Sequence, residues 1–114
     1  IVHPAVRPRI LAALDEATDG SSAPAVVLEA IRLVDGGYVD LVDEVWLVDC
    51  SPATQRARVI ARGGDAADAD RRIAAQAGLV ARSRAAATRV IETSGTLDDT
   101  ARRVDRALAA AVSR

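Results

Sequence analysis

Apolar positions recur along this chain with two periods, and the switches between them mark out the elements. From His3 to Ala17 the spacing predicts a helix: Val6, Ile10, Leu11 and Leu14 share one face. Pro4 and Pro8 fall near its start, where a missing N–H costs least. Asp19-Gly20-Ser21-Ser22 reads as a loop. Ala25 to Ile31, AVVLEAI, is an apolar run rich in β-branched residues, and it predicts a strand buried on both faces. Gly36-Gly37 interrupts the pattern, and Tyr38 to Val42 reads as a short helix. Glu44 to Asp49 predicts a second buried strand. Ser51 then suits an N-cap and Pro52 a first helical residue, and this helix runs to about Arg62 before a Gly63-Gly64 C-cap. Asp65 to Ala77 and Gly78 to Ala86 read as two further helices, anchored only by Ile73, Leu79 and Val80. The 63–86 stretch is therefore expected to pack weakly, as a helical lid. Arg89 to Glu92 is a third short strand. Thr96 opens the last helix with Asp99 three residues on, an acidic form of the capping box. Leu97, Ala101, Val104, Leu108 and Val112 form its apolar stripe. Three strands alternating with helices imply an α/β fold with a parallel sheet and right-handed crossovers.

Composition narrows the picture. In 114 residues, half are apolar, yet Trp46 and Tyr38 are the only aromatics and Phe and Met are missing. The core must therefore be built from Ala, Val, Leu and Ile, which implies modest stability for the chain alone. All fifteen basic residues are Arg, so a phosphate-binding loop of the type GxxxxGK[ST] is not in this sequence. A net charge of −1 and two aromatics argue against nucleic-acid binding. Cys50 is single, which forbids an internal disulfide and fits a reducing compartment. No apolar run is long enough to span a membrane, and no signal peptide is visible, so a cytoplasmic location is expected. The chain opens on Ile1 without an initiator Met and reads as cut from something longer.

Several residues are candidates for chemistry, each beside a plainer alternative. Gln55, Arg58 and Arg62 share one helix face; guanidinium groups there can clamp a phosphate, or form ordinary ion pairs on a solvated face. Glu29 ends the first predicted strand, at the sheet edge where ligands bind; it can orient Mg²⁺ or pair with Arg32. Thr93-Ser94-Gly95-Thr96 joins a strand to a helix, and its small residues and backbone N–H groups suit a ligand's close approach or a simple turn. His3 is a substrate contact or a helix-capping residue. No His or Cys cluster suggests a metal site, and Cys50, with no His partner, reads as structural.

Taken in order, HPxVR (His3, Pro4, Val6, Arg7), VVLE with Leu33, VDEVWLV (Val42 to Val48), PATQxxR (Pro52 to Arg58), Ala61-Arg62, IAAQ (Ile73 to Gln76) and VIxTSGT (Val90 to Thr96) resemble dephospho-coenzyme A kinase over nearly the whole chain. The resemblance implies a three-layer parallel sheet with flanking helices, of the P-loop nucleotide-kinase type, incomplete in residues 1–114. It implies transfer of the γ-phosphoryl of ATP to the 3′-hydroxyl of dephospho-coenzyme A, with Mg²⁺. By the same resemblance Arg62 faces the ATP phosphates, Ser94 and Gly95 lie near the adenine, and His3 and Arg7 face the acceptor. Glu29 stands where the family usually has Asp, near metal and acceptor. The chain departs from the family in lacking the Pro after Glu29, in Thr93 for Asn, and in Ala86 for Arg. The P-loop and the catalytic groups are expected upstream of Ile1, which makes these residues inactive alone. Two other functions fit the residues: a small α/β domain that binds a nucleotide or partner without turnover, and another nucleoside or nucleotide kinase of the superfamily.

Overall fold

The computed structural model describes residues 5–113, so His3 and Pro4 lie outside the described residues. In chain order the elements are α1 (Val6–Thr18), a 3-10 turn (Val39–Leu41), β1 (Trp46–Asp49), α2 (Pro52–Ala61), α3 (Ala66–Ala86), β2 (Arg89–Glu92) and α4 (Leu97–Val112). β1 and β2 pair in parallel, with Trp46 opposite Arg89 and Asp49 opposite Glu92. Parallel neighbours need a long crossover, and α2 with α3 supplies it.

Local chemistry explains these ends. The Ser51 hydroxyl accepts from the Thr54 N–H at 3.1 Å, and Pro52 follows as the first helical residue. At the other end of α2, Gly63 N–H donates to the Ile60 carbonyl and Gly64 N–H to that of Val59, both at 3.0 Å. That is a Schellman closure, and Gly63 holds the φ of +98° it requires. Thr96 and Asp99 cap α4 reciprocally, a full capping box.

Three expectations need correction. Ala25 to Ile31 is no strand: it runs without ladder partners, and Val27 and Ile31 are 86% and 84% exposed. The reason is that a strand is defined by its neighbours, and the sheet of the described residues has two strands, β1 and β2. The two helices expected over 65–86 are one 21-residue helix, α3, passing through Gly78. A mid-helix Gly costs only about 1 kcal/mol against Ala, too little to break a helix held at both ends. The helix expected over Tyr38 to Val42 shrinks to the 3-10 turn.

The buried core is small: Tyr38, Val45, Ala69 and Ile91. Ion pairs do much of the cross-linking. Arg82 grips Asp35 with two hydrogen bonds of 2.9 and 3.0 Å, tying α3 to the 31–37 turn. Arg89 holds Glu44 in the same way, and Arg56 reaches Asp70 from α2 to α3 at 3.2 Å.

Candidate functional site

Because β1 and β2 run parallel, both end on one edge of the sheet, and the chain leaves each end to start a helix. Cys50-Ser51 leads into α2, and Thr93 to Thr96 leads into α4. This is the edge at which open α/β sheets take ligands.

The two turns are laced together. Thr93 donates its N–H (2.8 Å) and its hydroxyl (3.0 Å) to the Asp49 carbonyl. The Ser51 N–H donates to the Ser94 hydroxyl oxygen at 2.8 Å. Arg58 reaches across from α2: one guanidinium N–H donates to Thr93 Oγ1 at 3.1 Å and another to the Thr93 carbonyl. The Asp49 carboxylate accepts from Arg84 of α3 and, at 2.9 Å, from the Cys50 N–H. The solvated-face alternative therefore fails for Arg58, which is half-buried and committed to Thr93.

Backbone N–H groups in the second turn are less available than the sequence implies. The Ser94 N–H donates to Glu92 Oε1 at 2.6 Å, and the Thr96 N–H to Asp99 Oδ2 at 3.1 Å. These bonds hold both carboxyls below their usual range: for Glu92 the Ser94 hydroxyl and N–H dominate, and for Asp99 the Thr96 N–H and hydroxyl, then Arg102. Gly95 has a packing reason of its own, since a Cβ there would stand 2.7 Å from Asp99 Oδ2.

The expected site residues fall in different places. Ser94 and Gly95 form the β2–α4 turn. Arg62 is the C-cap of α2, one helical turn beyond Arg58, exposed and without a carboxylate partner among the described residues. Arg7 is engaged elsewhere, donating to the Gly37 carbonyl at 3.1 Å and to Asp40 at 3.2 Å while lying 5.7 Å from the centre of the Tyr38 ring. Glu29 is exposed on the extended segment before residue 31, and Arg32, its expected partner, pairs with Asp35 instead. No hydrogen bond or ion pair among the described residues joins Glu29 or Arg7 to Arg62, Ser94 or Gly95. The Arg58–Thr93 and Arg84–Asp49 links were beyond sequence reasoning, because each joins residues 35 apart. Asp49 did carry a signal, as the acidic residue ending the second predicted strand, which forms over Trp46–Asp49 but is not buried, Val48 being 65% exposed. No group of three or more His, Cys, Asp or Glu among the described residues is placed to hold a metal ion, and no described helix is long and apolar enough to cross a membrane.

The family model described as dephospho-CoA kinase matches residues 1–99. The chain is similar to the dephospho-CoA kinase of Symbiobacterium thermophilum, with 43% identity over 97% of this chain and 46% of the relative. It is similar to that of Parasynechococcus marenigrum at 40% identity, over 100% of this chain and 52% of the relative. With that of Geobacter sulfurreducens it shares 37% identity over 92% of this chain and 53% of the relative. The chain thus spans about half the length of these curated relatives. No solved structure matches it.

Proposed function

The chain belongs to the dephospho-CoA kinase family, and from that premise we propose that it is the C-terminal half of an enzyme that phosphorylates the 3′-hydroxyl of dephospho-CoA with ATP, the last step of coenzyme A synthesis. The observation that carries this reading is the family match over residues 1–99. The geometry supports it at the nucleotide side. The Ser94-Gly95 turn and the start of α2 meet at the ligand edge of the sheet, and Arg62 extends from the same helix with its charge unneutralised.

Phosphoryl transfer is catalysed by positioning and by neutralising charge on the phosphate oxygens. Arg62 suits the neutralising role, because a guanidinium stays charged and binds phosphate oxygens in pairs. α3, which begins just beyond Arg62, takes the place of the lid; it is not loosely packed as expected, and closure over the phosphates would require release of the Arg56–Asp70, Arg82–Asp35 and Arg84–Asp49 pairs. His3, Arg7 and Glu29 take the acceptor side. The Lys and the backbone cradle of a P-loop belong to a segment preceding these residues, which also completes the three-layer sheet.

Mg²⁺, when bound, would supply further neutralisation of the phosphate charge. The described residues do not fit it unaided, since Asp49 is held by Arg84, Glu92 by Ser94, and Glu29 stands apart. The chain accordingly does no transfer by itself. Its setting is a soluble cytoplasmic one.

The test is a coupled assay of the full-length polypeptide that carries residues 1–114, beside the chain alone. Transfer to dephospho-CoA by the full-length protein, with none by the chain, is the expected result. Phosphorylation of a nucleoside monophosphate with dephospho-CoA ignored would overturn the substrate assignment, and ATP binding without turnover would overturn the enzyme reading.

A further inference from the structure

Resting on that kinase reading, we infer that Arg58 is a positioning residue for the nucleotide. It braces the Thr93 corner, so that the Ser94-Gly95 turn and the Arg62 end of α2 keep one fixed relation.

The hydrogen-bond directions build a brace here. Thr93 Oγ1 has one proton, and it goes to the Asp49 carbonyl at 3.0 Å. The hydroxyl is left able only to accept, and Arg58 donates to it at 3.1 Å while also donating to the Thr93 carbonyl. Two of the five guanidinium N–H groups are thereby committed to Thr93. Thr93 is gripped from both sides, by β1 through Asp49 and by α2 through Arg58. α2 is in turn fixed to the same turn twice, at its N-cap through Ser51 and Ser94 and near its middle through Arg58. Two attachments to one turn restrict how far the helix can tilt against it. Arg62, one turn further along, inherits that orientation while its own side chain meets no carboxylate among the described residues. The two arginines of one helix face thus divide the work: Arg58 holds the geometry and Arg62 keeps its charge for the ligand.

A double-mutant cycle on the full-length polypeptide tests this, using R58K, T93V and the pair together, with steady-state kinetics on ATP and dephospho-CoA. Lys keeps the charge but cannot serve both Thr93 oxygens, so R58K is expected to raise KM for ATP about tenfold, the worth of one charge-assisted hydrogen bond. KM for dephospho-CoA should hardly move. T93V should raise KM for ATP in the same sense, and the pair should be little worse than R58K. Additive losses, or a fall in kcat at unchanged KM for ATP, would mean that Arg58 touches the phosphates directly and would overturn the inference. If R58K does not fold, T93V alone reads the brace, and an unchanged KM for ATP overturns it. A parent polypeptide that transfers nothing to dephospho-CoA defeats the kinase reading, and this inference with it; a parent that transfers while its variants add defeats the inference alone.

Discussion

At the scale of single residues, the β2–α4 turn concentrates the consequences. Gly95 is there because the Asp99 carboxylate folds over it, leaving 2.7 Å for a Cβ. Its φ is not in the left-handed region, so the cost of G95A arises from displacing that carboxylate and loosening the capping box. A loss of about 1 kcal/mol is expected by chemical denaturation, the ordinary worth of an N-cap. The same carboxylate makes the turn sensitive to acid. Asp99 and Glu92 both have folded-state pKa values lowered by hydrogen bonds they accept in the turn. A carboxyl with a lowered folded pKa contributes stability fully above its unfolded value, about 4, and loses it as pH falls through the folded value. D99N and E92Q should therefore be less stable than the parent at neutral pH and converge on it in acid. A difference that persisted in acid strong enough to protonate both carboxyls would show that packing rather than charge is responsible.

At the scale of elements, what was legible in the sequence was what local chemistry decides. Arg89–Glu92 and the Thr96-capped start of α4 stand where the pattern places them, since a β-branched run and a capping box carry their instructions within a few residues. The Gly63-Gly64 closure of α2 is equally local. What failed was non-local. Ala25 to Ile31 has strand composition, but a strand also needs a ladder partner, and nothing in AVVLEAI says whether one lies alongside. The Arg58–Thr93 link escaped for the same reason: helix-face spacing puts Arg58 beside Arg62 but says nothing about a turn 35 residues on. Gly78 misled in the opposite sense, since a helix breaker by composition is tolerated inside α3. Its tolerance can be measured. A Cβ at Gly78 would meet only Arg82, with Nη1 nearest at 3.1 Å, the end of a flexible side chain. G78A should thus raise stability by up to about 1 kcal/mol with helix content unchanged. A loss of stability would mean that the Arg82–Asp35 grip fixes that side chain too firmly to yield.

At the scale of the whole molecule, the described structure is open for its length. Its accessible surface is 8066 Å², where a chain of 11.9 kDa folded on its own would show about 6000 Å². Its radius of gyration is 16.1 Å, against about 13 Å for a compact domain of this size. The excess is apolar in telling places. Val27, Ile31 and Leu97 are more than four-fifths exposed, and Val104, Leu108 and Val112 leave much of the α4 stripe uncovered. Exposed apolar surface on this scale marks a face built to be covered, which agrees with a chain that spans about half of its relatives. The expectation for the isolated chain is weak, broad thermal unfolding, dye binding typical of exposed apolar surface, and self-association at raised concentration. In the full-length polypeptide the same residues should unfold in one cooperative transition, with amide protection extending into 25–31. That last readout is the discriminating one, since protection there requires a strand partner. If the isolated chain were a sharply melting monomer with 25–31 already protected, the apolar segment would be satisfied within these residues, and the small self-sufficient α/β domain would displace the half-kinase.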